Sequence, residues 1–345
     1  MAIAAALKIL VERRDLDAAQ AAAVMHQIMA GEATPAQIGA YLMALRIKGE
    51  TVTEIAASAR VMRALAEPVN LPRTHLIDIV GTGGDGASTF NVSTAASFVA
   101  AAAGARVAKH GNRSVSSKSG SADVLEAAGV NLGIAPDEVA QCVQKLGVGF
   151  MFAPRHHGAM KHAVAPRREL GLRTMFNLLG PLTNPAQAPR QVLGVFDRCW
   201  LRPVAEVMRE LGSEHVLVVH AEDGLDEFSI AADTLVTELR DGEISEYSVA
   251  PEDFDLQRCA LDALRVNDAA ESLVLVRQAL AGIPGPASAI VALNAGAALY
   301  VAGVADDISA GVRMAADVMT AGLATRRFDA FIAMTRSFAD REAVQ

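Results

Sequence analysis

Residues 76–94 read LIDIVGTGGDGASTFNVST, with the loop Gly81-Thr82-Gly83-Gly84-Asp85-Gly86 at their centre. The apolar run at 76–80 is typical of a buried parallel strand, and the Ala-rich run at 95–103 predicts a helix. Four glycines in six residues let the backbone adopt positive φ angles and approach a ligand closely. Asn, Ser and Thr residues before the helix supply caps, and free N–H groups at a helix start suit an anion. This order of strand, glycine loop and helix predicts a phosphate-binding site.

The same loop also fits the pattern G-x-G-x-x-G of dinucleotide-binding proteins. That fingerprint opens its helix at the glycines and places an acidic residue about 20 positions later, on the ribose. Here the polar stretch 88–94 intervenes, and the next carboxylate after the loop is Asp123. The intervening region carries Arg106, Lys109 and Arg113 instead. A dinucleotide site is therefore disfavoured, and an NADP enzyme that uses Arg106 is kept as an alternative.

The composition describes an apolar and acidic chain. Of the 345 residues, 52% are hydrophobic and 4% aromatic, which is typical of an Ala-, Val- and Leu-rich α/β or helical protein. The net charge of −8 argues against general binding to nucleic acid or to an anionic membrane. No targeting or membrane-spanning segment is recognisable, so we expect a cytoplasmic protein. Three widely spaced cysteines predict buried reduced thiols rather than disulfides: Cys142, Cys199 and Cys259.

Two prolines divide the chain into two regions near residue 70. Before it, helical spacing is marked by the cap Thr34-Pro35 and by a capping box of Thr51 and Glu54. Pro68 and Pro72 mark the boundary. Beyond it, strands and helices alternate, which predicts a mostly parallel sheet covered on both faces. We expect strands at 76–80, 106–108, 148–152, 192–196 and 216–220, a hairpin of 235–239 with 244–249, a non-helical crossing segment at 173–186, and mainly helices at 262–337.

A second polar loop, residues 109–121, follows the second predicted strand. Four Lys and Arg residues and no acid occur between Ala105 and Lys118, in a protein that is acidic overall. Interleaved glycines, serines and Asn112 offer further donors to phosphate oxygens. Loops that follow parallel strands meet at one edge of an open sheet, so we expect both loops to line one crevice. A solvated basic loop is the alternative interpretation.

The pair Asp226-Glu227 follows a later strand and could hold Mg²⁺ beside a phosphorylated ligand. A solvated acidic turn explains the pair equally well, and Asp85 could serve the same end or brace the glycine loop. Three histidines, His156, His157 and His162, lack the spacing of a zinc site, although one of them could contact substrate. No nucleophile elbow, Cys-His pair or Walker loop is present, which disfavours covalent catalysis and ATP hydrolysis. The remaining chemistry is a reaction on a ligand whose own phosphates leave.

Taken together, these motifs closely resemble the anthranilate phosphoribosyltransferases of tryptophan synthesis. The resemblance spans nearly the whole chain and includes residues 81–94, 109–123 and 173–182 and the Asp226-Glu227 pair. It implies the nucleoside phosphorylase–phosphoribosyltransferase fold: a helical dimerisation domain at 1–70, with a contribution from about 160–190, and an α/β domain at 71–345 with a mostly parallel sheet. The implied reaction moves the phosphoribosyl group of 5-phosphoribosyl 1-diphosphate (PRPP) onto the amine of anthranilate and releases diphosphate.

Carried over position by position, the resemblance implies a homodimer with Mg²⁺ as cofactor and assigns no side chain as general acid or base. Mg²⁺ would be held by Ser93, Asp226 and Glu227. Anthranilate would be received by Gly81, Asn112 and Arg167, with Arg167 facing its carboxylate. Contacts to PRPP would come from the two loops: Gly81, Gly84, Asp85, Thr89, Asn91, Val92, Ser93, Thr94, Lys109, His110, Gly111, Asn112, Arg113, Ser114, Val115, Ser116, Ser117 and Ser121.

Two positions depart from the family pattern, and two other functions are weighed beside it. Gly158 stands where the family often has Pro, and Pro166 stands where a branched residue is usual. A pyrimidine nucleoside phosphorylase would carry Lys-His-Ser in its phosphate loop, whereas this chain has Lys109-His110-Gly111-Asn112. A non-catalytic paralogue that binds nucleic acid would need a broad basic face, which the charge balance disfavours.

Overall fold

The computed structural model describes residues 2–114 and 118–342. The chain opens with four helices: α1 (Ala2–Leu10), α2 (Ala18–Met29), α3 (Pro35–Lys48) and α4 (Val52–Leu65). The side chains of Asp17, Thr34 and Thr51 accept hydrogen bonds from the third residue of α2, α3 and α4, as the capping patterns predict. Their apolar faces close into a core around Tyr41, which is fully buried.

A seven-stranded sheet forms the centre of the remainder. Its order is β3-β2-β1-β4-β5-β6-β7, in which the first five strands run parallel and the last two pair antiparallel. The mostly parallel sheet and the hairpin are therefore confirmed. Asp241 (φ 52°) and Gly242 (φ 87°) form the tight connection of the hairpin. The strands are β1 (Leu76–Gly81), β2 (Arg106–Gly111), β3 (Val148–Phe152), β4 (Arg190–Gly194), β5 (His215–Ala221), β6 (Thr234–Arg240) and β7 (Glu243–Val249).

Helices cover both faces of the sheet, and two apolar cores result. One core lies between the sheet and α5, α13 and α15, with Phe98 packed edge-on to Phe328 at 4.8 Å between ring centroids. The other joins the four N-terminal helices to α10, α11 and the opposite face of β4 and β5. The helices are α5 (Val92–Ala102), α6 (Ser121–Ala127), α7 (Pro136–Leu146), α8 (Ala153–His156), α9 (Lys161–Leu170), α10 (Met175–Leu182), α11 (Leu201–Glu210), α12 (Ala269–Leu280), α13 (Pro286–Val301), α14 (Ile308–Thr320) and α15 (Leu323–Glu342).

The segment 173–186 corrects the sequence analysis, because it contains a helix rather than only a crossing loop. Asn177 caps α10 by accepting the Thr174 N–H at 3.0 Å. Pro181 falls in the last turn of this helix, so the break that it causes comes where the helix already ends. The strand predicted at 192–196 likewise begins two residues earlier, at Arg190.

The thiols are a second correction. All three cysteines are free, but only Cys142 is buried, whereas Cys199 is exposed and Cys259 is intermediate. Cys199 lies in the short turn that precedes α11, which faces solvent. Within the described ranges, no helix is both long and apolar enough to cross a bilayer.

Candidate active site

The chain reverses its direction of sheet growth at β1, and this reversal creates a crevice. β1 pairs with β2 on one side and with β4 on the other, so connections leave its carboxyl end in opposite directions. Ligands of open α/β sheets bind at such a switch point. Asn91, after the glycine loop, donates through Nδ2 to the Ser119 carbonyl in the second loop at 3.0 Å. The two predicted loops therefore meet directly.

The glycine loop needs its glycines for both conformation and space. Gly83 (φ 68°), Gly84 (φ 77°) and Gly86 (φ 75°) lie in the left-handed region that favours glycine. A Cβ on Gly81 would lie 2.5 Å from Asp226 Oδ2. The same oxygen accepts the Gly83 N–H at 2.6 Å. The loop is therefore built around Asp226, a carboxylate that is distant in sequence.

Helix α5 starts at Val92, directly beside the loop. This start corrects the expected boundary at 95 and places Ser93 and Thr94 in its first turn, where Asn91 occupies the cap position without a side-chain cap bond. The Ser93 N–H donates to Glu227 Oε1 at 3.0 Å. Glu227 thus occupies the anion position that free N–H groups at a helix start favour.

Lys109 is the one predicted cation of the second loop that is buried deeply. Its ammonium donates to the Ile79 carbonyl at 2.5 Å and to Ser93 Oγ at 3.2 Å. Burial lowers the pKa of Lys109, although nearby carboxylates, Asp78 first, act in the opposite direction. A solvated basic loop does not describe this residue, whose exposed fraction is 4%.

The buried carboxylate of Asp78, on β1, holds the start of the second loop. Asp78 accepts the His110 N–H at 3.1 Å and the Asn184 Nδ2 at 2.7 Å. Burial raises the pKa of Asp78 to about 6, against the opposing influence of Lys109. Sequence reasoning gave Asp78 no role, because an aspartate inside an apolar strand carries no motif of its own.

Arg113 and Ser121, two other predicted contacts of the second loop, bind protein groups in this structure. The Arg113 guanidinium uses its donors on the acids of α6, Glu126 at 2.6 Å and Asp123 at 3.2 Å. Ser121 Oγ donates to the Asn112 carbonyl at 3.3 Å. The predicted contacts Val115, Ser116 and Ser117 lie outside the described residues.

Three carboxylates crowd together at the crevice: Asp85, Asp226 and Glu227. Burial, and then the charge of Asp85, raises the pKa of Asp226 to about 7. Burial raises the pKa of Glu227 well above its ordinary value, and Asp226 and Asp85 add to the effect. Asp85 also braces the loop, since its Oδ1 accepts the Ala87 N–H at 3.1 Å. Like charges this close disfavour one another's ionised form, and a bound cation would favour it.

The donor set fits Mg²⁺ bound together with a phosphorylated ligand. The described part of the chain offers no group of three or more His, Cys, Asp or Glu side chains that could hold a metal by itself. Mg²⁺ does not require such a cage, because it keeps several waters and binds through one or two carboxylates plus substrate phosphates. Asp226 and Glu227, with Ser93 between Glu227 and Lys109, meet that description.

Arg167, the residue expected to receive the anthranilate carboxylate, lies near the end of α9. Its guanidinium lies 5.1 Å from the centroid of the Phe176 ring, and burial lowers the pKa of Arg167. No carboxylate in the described ranges pairs with it. The His110 and His157 rings lie 5.1 Å apart, and both Nε2 atoms are buried without a partner among the described residues. Next to His157 is a narrow cavity lined by Met29, Met62, Leu65, His157, Ala159 and Met160.

Comparison with known proteins identifies the family. Residues 73–325 match the α/β domain of a glycosyl transferase family, and residues 4–66 match the helical bundle domain of that family. The anthranilate phosphoribosyltransferase of Alkalilimnicola ehrlichii is 60% identical over 331 residues, 96% of this chain and 98% of that protein. The chain belongs to the anthranilate phosphoribosyltransferase family.

Solved structures of this family share the fold. The anthranilate phosphoribosyltransferase of Thermus thermophilus is 45% identical and superposes with a TM-score of 0.91, over 96% of this chain and 99% of that one. The Saccharomyces cerevisiae anthranilate phosphoribosyltransferase, solved in complex with PRPP and Mg, is 25% identical with a TM-score of 0.89, over 97% and 98% of the two chains. The predicted family and fold class are confirmed.

Beyond the residues carried over from the family, the structure adds Asp78 and Asn184, the His110–His157 pair, and Arg173. Arg173 lies in a quoted family motif, but the motif by itself gives no role to its side chain. Its guanidinium carbon stands 4.2 Å from the centroid of the Phe196 ring, beside Gly84. Only the fold brings Arg173, Phe196 and Gly84 together.

Proposed function

We propose that this crevice transfers the phosphoribosyl group of PRPP to the amine of anthranilate, with release of diphosphate, in tryptophan biosynthesis. The observation that carries the proposal is the pair of bonds from Gly83 to Asp226 and from Ser93 to Glu227. These bonds fasten two buried carboxylates to the two backbone segments that suit phosphates. Family membership supplies the reaction, and this geometry supports its place on the chain.

PRPP would lie along the two loops, with its phosphates on backbone N–H groups and hydroxyls. Gly81 and Gly84 permit close approach, while Lys109 supplies a fixed positive charge next to Ser93. The bond from Asn91 to Ser119 holds the two loops at a constant separation. Further contacts to PRPP would come from Asp85, Thr89, Val92, Thr94, His110, Gly111, Asn112, Ser114 and Ser121. We retain Arg113 among these contacts despite its ion pairs with α6.

Mg²⁺ would be held by Asp226, Glu227 and Ser93. When bound, Mg²⁺ supplies positive charge that stabilises the departing diphosphate. Without a cation, the raised pKa values of Asp226 and Glu227 show how unfavourable two ionised carboxylates are at this place. The protein thus keeps a site that is electrostatically unsatisfied until ligand arrives.

The chain's own residues would contribute chiefly charge and position. Displacement at the anomeric carbon develops positive charge on the ribose, so the amine needs little activation. Lys109 would stabilise negative charge on the leaving diphosphate from a buried position, where electrostatic interactions are stronger than in water. Fixed loops bring donor and acceptor together and lower the entropic cost of their encounter.

Anthranilate would bind on the other side of Gly81, between Asn112 and Arg167. The Arg167 guanidinium has no carboxylate partner among the described residues, and the Phe176 ring supports one of its faces. It is therefore available for the carboxylate of the acceptor. The neutral His110 and His157 rings would form an apolar wall for the aromatic ring, because burial lowers the pKa of both.

We further infer a cytoplasmic homodimer that forms through residues 1–70 with a contribution from about 160–190, while residues 71–345 form the PRPP-binding domain. Helices α3 and α9 are neighbours, and apolar side chains stand exposed on and near them: Ile47 at 66%, Val164 at 52% and Leu172 at 58%. Light scattering after size exclusion would give twice the mass of one chain. A monomeric mass would remove this inference without affecting the activity.

The function is tested by mixing the protein with PRPP, Mg²⁺ and anthranilate. Anthranilate fluorescence should fall, and diphosphate should appear in equal amount. Omission of PRPP is the control. Constant fluorescence, together with turnover of uridine and phosphate, would show a nucleoside phosphorylase instead.

A further inference from the structure

Arg173 occupies an unusual position between the helical layer and the glycine loop. It follows Gly171, which ends α9 in the left-handed conformation (φ 61°). Its guanidinium lies over Phe196, with 4.2 Å from its carbon to the ring centroid. It also abuts Gly84 so closely that a Cβ on that glycine would collide with Nη2 unless the arginine moved. The guanidinium therefore reaches the backbone of the glycine loop.

The ring beneath Arg173 is fixed to the same loop. The Phe196 N–H donates to Thr82 Oγ1 at 3.0 Å, and the Thr82 N–H donates to the Gly194 carbonyl at 2.9 Å. Phe196 follows β4, so the end of that strand, the start of the loop and the guanidinium form one rigid unit. A planar cation on an aromatic face keeps its edge free for hydrogen bonds.

The donors of Arg173 are unused within the described residues. It forms no ion pair or hydrogen bond there, although its charge acts on both Asp85 and Asp226. Arg113 differs, because its guanidinium donates to Glu126 and Asp123. A guanidinium has five N–H groups in a fork that matches phosphate oxygens. With respect to residues 2–114 and 118–342, Arg173 therefore presents an unpaired fork at the edge of the phosphate-binding loop.

We propose that Arg173 is a phosphate-binding residue that donates to the diphosphate oxygens of PRPP across the glycine loop. The inference rests on the proposed function, because it assigns a further contact in the same site. Arg173 abuts Gly84 of the same loop that Asp226 holds through the Gly83 N–H. It therefore lies beside the proposed Mg²⁺ site, which assigns it to the diphosphate rather than to the 5-phosphate. Its charge also partly neutralises the carboxylates before a cation binds.

Binding measurements separate this role from a purely structural one. Titration calorimetry would follow Mg²⁺–diphosphate, ribose 5-phosphate and Mg²⁺ alone in the wild type, Arg173→Gln and Arg173→Lys. In the Gln variant, diphosphate should bind about tenfold or more weakly, because a charged hydrogen bond is lost. Mg²⁺ alone should bind more tightly, since a neighbouring positive charge is gone. Ribose 5-phosphate should change little, and Lys should restore part of the diphosphate affinity.

Arg168→Gln is the matched control, since Arg168 is an exposed arginine five residues earlier. All three affinities should stay at wild-type values in that variant. The proposal is overturned if diphosphate affinity is unchanged in Arg173→Gln, or if diphosphate and Mg²⁺ weaken together. A larger loss for ribose 5-phosphate would also contradict it. Because these titrations contain no anthranilate, failure of the transfer reaction would be seen separately.

Discussion

The protein contains two buried clusters of carboxylate and lysine that behave in opposite ways. In the helical layer, Glu54 accepts the Leu16 N–H at 3.0 Å, the Thr51 N–H at 2.8 Å and Lys48 Nζ at 3.0 Å. In the crevice, Lys109 Nζ donates to a carbonyl and a hydroxyl, whereas Asp226 and Glu227 face each other's charge. Glu54 and Lys109 are both buried, with exposed fractions of 0% and 4%.

The difference distinguishes a charge that serves folding from one that serves a ligand. Burial alone would lower the pKa of Lys48, but the hydrogen bonds that its ammonium donates to Asp15 and Glu54 raise the pKa, so the cluster holds its ions paired. Burial lowers the pKa of Lys109 and raises the pKa of Asp226 to about 7. The crevice charges therefore lack the pairing that the helical layer shows, and under the proposed function Mg²⁺ and a diphosphate would supply it.

Replacement of Glu54 should give the largest effect. Glu54→Ala removes one carboxylate from Lys48, which keeps Asp15 and the Gly49 carbonyl, and leaves the Leu16 and Thr51 N–H groups without their acceptor. The loss should cost about 3–5 kcal/mol of folding free energy. Urea unfolding would measure it, with the exposed Glu32→Ala as control. A loss below about 1 kcal/mol would show that this cluster resembles a surface ion pair.

The two buried lysines should respond differently to removal of charge. Lys109→Met should weaken PRPP binding about 100-fold, because a charged contact is lost, and should lower the unfolding free energy less than Lys48→Met does, since burial already disfavours the Lys109 charge. Lys48→Met should instead lower stability and leave the KM for PRPP unchanged. Parallel unfolding and kinetic measurements would test the pair. Equal destabilisation by both substitutions would contradict the distinction.

Removal of one crevice carboxylate should weaken the use of Mg²⁺ and raise the free energy of unfolding. Asp226→Asn keeps an oxygen for the Gly83 N–H and relieves repulsion from Asp85 and Glu227. We expect the Mg²⁺ requirement to rise about tenfold and the unfolding free energy to rise by about 1 kcal/mol in metal-free buffer. Mg²⁺ titrations of activity, with chemical unfolding alongside, would measure both. An unaltered Mg²⁺ response would remove Asp226 from the metal site.

Arg167 tests the acceptor side independently of the charged cluster. Arg167→Ala should raise the KM for anthranilate about tenfold, through loss of one charged contact, and leave the KM for PRPP unchanged. Steady-state kinetics with each substrate varied in turn would separate the two. A matching rise in both constants would indicate a structural role.

The smallest effect concerns pH. Burial, reinforced by His156, lowers the pKa of His157 to about 4, whereas an unfolded histidine titrates near about 6.5. The neutral ring thus contributes stability that is fully present above about pH 6.5 and is lost as the pH falls towards 4. Unfolding at pH 7 and pH 5.5 should show about 1 kcal/mol more loss in the wild type than in His157→Gln. An identical loss would show that His157 does not carry this dependence.

The sequence predicts much of this architecture for local reasons. Thr51 and Glu54 mark a helix start, and the two polar loops follow parallel strands that must end at one edge. The resemblance to the family motifs then identifies anthranilate as the expected acceptor. The contacts of Glu54 with Lys48 and Leu16 escape prediction, because they depend on how four helices pack.

The features that the sequence does not predict have the same cause. Arg113 pairs with Glu126 only because α6 packs beside the second loop. Residues Gly180 and Pro181 suggest an interrupted segment, yet they fall at the end of α10, where helical hydrogen bonding already stops. Arg173 is one arginine among several in the sequence, and only the stack on Phe196 gives it a place.

The central claim is that the crevice carboxylates are arranged for a ligand rather than for the fold. The most direct measurement is the melting temperature of the wild type and of an Asp226→Asn, Glu227→Gln double variant, each with and without Mg²⁺ and PRPP. Ligands that bind the folded state raise the melting temperature, so the wild type should show a clear increase. The variant should melt as high or higher when ligand-free and show no increase. A variant that melts lower without ligand, or that keeps the full increase, would contradict the account.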